Sequence, residues 1–209
     1  MTIELLADKA YYSIRDLIVS LELQPGTVLN ESKLMEQVGV GRTPVREALR
    51  RLAQEKLVEV YPRRGIFVTS VNIRDLASLS EVRAVLESHA ARVAAERATD
   101  EDRQELAALI TEADQEDLDR RGLIDLDQRI HQAVYRCTHN EYLEATLEEY
   151  YVLALRIWFL ALDRVERLDE AVVEHRELLE AIHAGDGRRA EEAMRRHVAG
   201  FEQAIRRVL

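Results

Sequence analysis

Residues 38–52 read Val-Gly-Val-Gly-Arg-Thr-Pro-Val-Arg-Glu-Ala-Leu-Arg-Arg-Leu. Gly39 is suited to the left-handed end of one helix, and Thr43-Pro44 predicts the start of the next, with Thr43 as the N-cap and the proline at the first helical position. Apolar and polar side chains then follow opposite stripes at helical spacing. The apolar stripe is Val45, Ala48, Leu49 and Leu52, and the polar stripe is Thr43, Arg46, Glu47 and Arg50. The pattern predicts a helix with one packing face and one charged face.

Two further helices are predicted before this one. Apolar residues recur at helical spacing from Ala10 to Leu21, and Pro25-Gly26 stops that helix. Asn30 is a suitable N-cap for the second helix, which Gly39 ends. Two helices joined by a short glycine turn, the second with basic side chains near its N-terminus, are typical of helix-turn-helix proteins that insert that end into the major groove of DNA.

A β-hairpin is predicted after the charged helix. Residues 57–61 and 66–68 are β-prone and are separated by Pro62-Arg63-Arg64-Gly65. A hairpin with a basic tip beside a helix-turn-helix is a wing. Gly65 lets the main chain approach DNA closely, and Arg63 and Arg64 add positive charge there.

Positive charge is concentrated in this part of the chain, although the net charge is −10. Residues 1–71 hold 10 basic and 9 acidic side chains, and residues 72–209 hold 19 and 30. Because an arginine can bond guanine O6 and N7 together, Arg42 and Arg46 are the candidates for reading bases, and Thr43 and Arg50 are expected on phosphates. A basic helix alone is more often a solvated surface; its combination with the turn and the wing favours DNA binding.

Composition predicts a mostly α protein of two domains, residues 1–71 and 72–209. Hydrophobic residues make up 47% of the chain, with only 8 Gly and 3 Pro. Helices are expected near 73–98, 101–119, 122–138, 141–163, 168–185 and 187–208. No apolar run is long enough to cross a bilayer, and Cys137 has no partner for a disulfide, so we expect a cytoplasmic protein that does not contact membranes.

Metal-ligand residue types interrupt the apolar stripes of three helices in the second part. They are Asp127 and His131, one turn apart, together with His175 and His197. Buried imidazoles and carboxylates need partners, so their convergence on a metal ion is one interpretation. The other is that each histidine bonds a carbonyl group or a neighbouring acid such as Glu174.

The first part resembles the GntR family of bacterial regulators. The resemblance covers residues 25–31, 38–52, 57–58 and 64–68, and it implies that Arg42, Thr43, Arg46 and Gly65 contact an operator. It also implies a homodimer that binds a palindromic double-stranded operator. Gly41 stands where the family usually has Ser or Thr, which puts one phosphate contact in doubt.

The second part resembles the FCD effector domain of the FadR-type subgroup, an all-α antiparallel helical bundle. Its pattern is Asp-x-x-x-His, a histidine opening a helix that ends in Gly-Asp, and a last histidine, matched here by Asp127, His131, His175 with Gly185-Asp186, and His197. The resemblance implies a divalent metal, with Zn, Ni or Mn as options, beside a pocket for a small organic acid. Arg83 matches a frequent arginine that could bind the effector carboxylate, or it pairs with Glu87 instead.

Taken together, the sequence predicts a winged helix-turn-helix repressor whose operator affinity a small carboxylate controls. An enzyme is the weaker alternative, because HExxH, GxSxG and phosphate-binding glycine loops are lacking. A helical oligomerisation module with an idle basic face is the third alternative, and it predicts no DNA binding at any salt concentration.

Overall fold

A computed structural model describes residues 3–115, 120–161, 164 and 168–209. It divides into two compact units: Met1–Asn72 with Leu155–Leu160, and Ile73–Ala154 with Ala161–Leu209. The predicted mostly helical fold is confirmed, with strands found in the first unit. Within the described ranges, no helix is both long and apolar enough to span a membrane.

The first unit combines helices with a small antiparallel sheet. Its helices are α1 (Ile3–Val19), α2 (Glu31–Val38) and α3 (Arg42–Gln54), and its strands are β1 (Val28–Leu29), β2 (Val58–Tyr61) and β3 (Gly65–Val68). The predicted hairpin is β2–β3, with Val58 opposite Val68 and Tyr61 opposite Gly65. Strand β1 pairs with the other edge of β3, giving the order β1-β3-β2.

The helix-turn-helix is defined by its caps. Asn30 has extended backbone and its side chain accepts a hydrogen bond from the Lys33 amide, and Gly39 ends α2 with φ 69°. The expected N-cap at Thr43 is wrong, because α3 begins at Arg42 with Gly41 as its N-cap. The Val45 amide already bonds the Gly41 carbonyl. Pro44 is tolerated as the third residue of α3, since amides of the first turn need no intrahelical acceptor.

Burial of the apolar stripe of α3 orients the rest of that helix. Val45, Ala48, Leu49 and Leu52 are buried against α1, where Ile14 and Ile18 are fully buried too. The polar stripe lies on the opposite face of α3 from the buried one, so it faces solvent.

Within its described residues, the second unit consists of helices and the short loops that join them. After a 3₁₀ turn at Ile73–Asp75, its helices are α4 (Leu76–Arg97), α5 (Asp100–Gln115), α6 (Arg120–Arg136), α7 (Glu141–Ala161), α8 (Leu168–His183) and α9 (Gly187–Val208). Of α7, Leu155–Leu160 belong to the first unit. The predicted ends of α5 near 119 and of α7 near 163 lie outside the described residues. Asp186 accepts a hydrogen bond from the Arg189 amide and thereby caps α9.

Close packing of α4 on α9 organises this unit. Alanines at 90, 91, 94 and 95 line the buried face of α4, and small side chains allow two helices to approach closely. At the start of α9, a Cβ on Gly187 would lie 3.0 Å from Cγ of Arg92 and 3.3 Å from its carbonyl oxygen. Helices α6 and α8 also pack against α4 in this core. The predicted metal ligands lie on α6, α8 and α9.

Candidate nucleic-acid interface and metal centre

The predicted DNA-contact residues are all exposed on the first unit. They are Arg42, Thr43, Arg46 and Arg50 of α3, and Arg63, Arg64 and Gly65 at the hairpin. The first turn of α3 contains no acidic residue, and Gly41 makes no side-chain cap. The free amides of that turn therefore add partial positive charge to the arginines, as an anion-binding surface requires.

Backbone geometry fixes the tip of the hairpin. Arg63 and Gly65 both have positive φ, 64° and 111°. Only glycine adopts the second value without strain. Beside it, the Arg64 guanidinium lies 6.0 Å from the centre of the Tyr61 ring, and that ring packs edge-on against Phe67 at 5.4 Å. The basic tip is thus supported by aromatic packing.

The four predicted metal-ligand residues come together inside the second unit. Asp127 and His131 lie one turn apart on α6, His175 lies on α8, and His197 lies on α9; each is at most 4% exposed. One donor atom from each side chain lies within 4.8 Å of the others, about the spread of a single ion's coordination sphere. Asp127 Oδ1 lies 3.2 Å from His175 Nε2 and 3.7 Å from His197 Nε2.

Outer partners fix the orientation of these side chains. His197 Nδ1 lies 3.1 Å from a Glu174 carboxylate oxygen, and His131 Nδ1 lies 2.9 Å from one of Glu87. Because a carboxylate only accepts, the contact with Glu174 assigns the proton of His197 to Nδ1 and turns the lone pair of its Nε2 toward the centre. The same tautomer of His131 directs its Nδ1 proton to the side where Glu87 and the Tyr135 hydroxyl lie. The Tyr151 hydroxyl donates to Asp127 Oδ2 at 2.6 Å.

The residues fit a cation. Nε2 of His131 and Nε2 of His197 lie 3.1 Å apart. With both protons on Nδ1, the facing lone pairs repel unless a positive charge lies between them. Asp127 Oδ1 and His175 Nε2 are buried without a hydrogen-bond partner among the residues that the structure describes. A metal ion would satisfy all four atoms, since buried polar groups rarely stay unpaired.

Charge states inside the cluster match this chemistry. Burial raises the pKa of Asp127, but the surrounding imidazoles, His131 foremost, outweigh burial and hold that pKa well below its usual value. Burial, helped by the neighbouring His175, lowers the pKa of His197 to about 4. The carboxylate is therefore ionised and the imidazole neutral near pH 7, which are the forms that bind metals.

Arg83 lies beside this cluster on α4. It is 3% exposed, and its Nε donates to Glu87 Oε1 at 2.5 Å. Tyr151 and Phe201 place their ring centres 5.5 and 5.4 Å from its guanidinium carbon. The sequence left open whether Arg83 binds an effector or pairs with Glu87, and the structure shows the ion pair with Glu87. The other N–H donors of the guanidinium remain predicted contacts for an effector.

Comparisons with known proteins identify the family of each part of the chain. A family model for the gntR family of bacterial regulatory proteins matches residues 6–68, and the FCD domain model matches residues 78–200. The chain belongs to the GntR family, with an FCD domain. As a GntR protein it is a DNA-binding transcription regulator and not an enzyme.

This GntR protein is similar to transcription regulators over most of its length. An uncharacterized HTH-type transcriptional regulator in an unstable DNA locus of Streptomyces ambofaciens is 32% identical over 206 residues, 95% of this chain and 84% of the relative. The galactonate operon transcriptional repressor of Escherichia coli is 27% identical over 226 residues, which cover 96% of this chain and 97% of the relative. The solved structure of E. coli McbR/YncC has a TM-score of 0.81 and 27% identity, covering 95% of this chain and 97% of that one.

Sequence reasoning missed part of the surroundings of this GntR protein's cluster. Tyr151 and Tyr135 are buried beside His131, with Tyr135 Oη 3.2 Å from its Nδ1. A tyrosine among apolar helix residues gives no sign of its hydroxyl partner. Glu87 was anticipated only as a partner of Arg83, because its spacing from His131 along the chain is 44 residues and nothing in the sequence relates them.

Proposed function

We propose that this GntR regulator is a repressor whose operator affinity is controlled by a small carboxylate bound beside a metal ion. The observation that carries the proposal is the pair of imidazole Nε2 atoms 3.1 Å apart beside an unpartnered carboxylate oxygen, all of them buried. Such an arrangement is costly without a cation. Asp127, His131, His175 and His197 are the proposed ligands.

The donor set favours a divalent transition metal. Imidazole nitrogen suits Zn and Ni, and one carboxylate extends the choice to Mn. When bound, the ion supplies positive charge to oxygen atoms of an organic acid. On the protein side, the N–H groups of Arg83 that Glu87 does not use are the proposed second contact for the acid's carboxylate.

We assign residues 1–71 to DNA binding and residues 72–209 to effector binding and dimerisation. Arg42 and Arg46 read bases, and Thr43 and Arg50 contact phosphates. The wing residues Arg63, Arg64 and Gly65 contact the backbone beside the major groove. A homodimer would present two such surfaces, so the operator is a palindrome. This work is done on chromosomal DNA in the cytoplasm.

Effector binding is proposed to release the operator by changing the spacing of the two reading helices. A relative that is named a galactonate operon transcriptional repressor supports repression, and the operon in its name is that of a carboxylate.

Metal analysis of the purified chain, followed by a thermal-shift screen of small organic acids, tests this function. We expect a bound divalent ion, and an acid present at about 100 times its Kd should raise the unfolding temperature by about 5–10 °C. His197→Gln should lose the ion, whereas the control His183→Gln, an exposed histidine at the end of α8, should keep it. If metal-free protein is not stabilised by Zn, Ni or Mn ions, the metal proposal is wrong.

A further inference from the structure

Arg46 is anchored by an acidic side chain from another helix. Its Nε lies 3.1 and 3.0 Å from the two carboxylate oxygens of Glu31. The Arg46 side chain remains 59% exposed and that of Glu31 30%. The guanidinium is therefore held at one edge while the rest of it faces solvent.

Glu31 is held in turn by its place in α2. It is the first residue of that helix, directly after the N-cap Asn30. The partial positive charge of a helix N-terminus attracts a carboxylate, which keeps the Glu31 side chain close to its own helix. An exposed ion pair contributes little to folding stability. Its position between the two helices of the DNA-binding motif suggests a different use.

Using Nε for the anchor determines what Arg46 can do at its outer edge. The two terminal amino groups retain four N–H donors in one plane. This end-on edge matches guanine O6 and N7, which the guanidinium contacts with two parallel hydrogen bonds. A free arginine can instead swing to a phosphate, and that contact gives no sequence information.

We propose that Glu31 is a specificity-determining residue that positions Arg46 for guanine. The inference rests on the proposed reading of bases by Arg46. The negative charge of Glu31 repels phosphates and so lowers affinity for all DNA, while the anchored guanidinium loses less freedom when it meets the correct base. Glu31 thereby raises the ratio of specific to non-specific affinity rather than affinity itself.

The test compares full-length variants on defined duplexes. Wild-type protein first selects a duplex from a randomised pool, and Kd values are then measured on that duplex, on single guanine replacements and on a scrambled duplex at one salt concentration. Glu31→Gln keeps the size of the side chain and removes its charge. Glu36→Gln removes one exposed negative charge from the same helix and is the matched control.

We expect Glu31→Gln to lower the ratio of selected to scrambled affinity by about tenfold, with unchanged or tighter binding to scrambled DNA, and Glu36→Gln to leave the ratio unchanged. In an Arg46→Ala background, Glu31→Gln should have no further effect on the ratio, because Glu31 acts through Arg46. Circular dichroism spectra that match the wild type exclude a folding defect as the cause.

Two results would overturn the inference. One is a ratio that stays within twofold of wild type in Glu31→Gln; if both affinities rise equally, Glu31 is a competitor for Arg46 and not its guide. The other is a ratio that Glu31→Gln still lowers in the Arg46→Ala background, since Glu31 would then act without Arg46. Failure of the proposed DNA reading looks different: wild-type protein would then bind selected and scrambled duplexes equally, or Arg46→Ala would leave the ratio intact.

Discussion

Tyr151→Phe removes one hydroxyl from behind the proposed metal ligands and leaves the ring in place. That hydroxyl donates to Asp127 Oδ2 at 2.6 Å, and both residues are at most 3% exposed. Water cannot replace the lost donor in so tight a site, and a hydrogen bond to a charged group contributes about 1.5–3 kcal/mol. Loss of such an outer partner weakens metal binding by about 10–100-fold. We expect both effects from this one substitution.

A competition titration against a chromophoric chelator measures the metal affinity, and thermal unfolding of the metal-free protein measures the stability term. At about 2–4 °C for each kcal/mol, the unfolding temperature should fall by about 3–12 °C. Tyr150→Phe is the matched control, since Tyr150 is the neighbouring half-buried tyrosine on α7. Equal metal affinities in the two variants would refute the role of the Tyr151 hydroxyl, even if Tyr151→Phe were less stable.

Three further predictions concern other parts of the chain. Arg46→Ala should weaken binding to a selected duplex by about 1–3 kcal/mol and blur base preference, with unchanged unfolding; a loss shared equally by scrambled DNA would instead indicate a phosphate contact. Gly65→Ala should destabilise the first unit by about 1 kcal/mol or more in urea unfolding, because Gly65 has φ 111°, and unchanged stability would contradict the assigned strain. Burial raises the pKa of Cys137 to about 12, so at pH 8 a thiol reagent should label this residue only when the protein unfolds. The free energy of unfolding should also decline above pH 9, because the thiol then loses its proton in the unfolded chain and keeps it in the folded one. Labelling of the folded protein as fast as a free thiol would contradict this.

Local signals in the sequence identified the DNA-binding unit well. Asn30 and Gly39 act through their own backbone and nearest neighbours, so their roles as caps are visible in the sequence. The predicted start of α3 was two residues too late, because a proline fits anywhere in the first helical turn and does not mark its first residue. Strand β1 was seen only as extended chain, since its partner β3 lies almost 40 residues later and its pairing is non-local.

The second unit was predictable where a residue broke a pattern. Asp127, His131, His175 and His197 interrupt apolar stripes, and a buried polar side chain among them is conspicuous. Glu87 gave no such signal, because Arg83 and Glu87 at i, i+4 look like an ordinary surface ion pair and are in fact buried. Charge pairs at helical spacing indicate a neighbour on the same helix, but they do not indicate which face is buried.

The two candidate sites share one physical principle. In each, a carboxylate lies behind a nitrogen-bearing side chain and occupies one of its nitrogens: Glu31 behind Arg46, and Glu174 behind His197. The occupied nitrogen fixes the orientation of the ring or guanidinium before any ligand arrives, so less conformational entropy is lost on binding. The free nitrogens then face one direction, toward a base edge in one unit and toward a cation in the other. At both sites a carboxylate can thereby set selectivity through the side chain that it orients, without contacting the ligand itself.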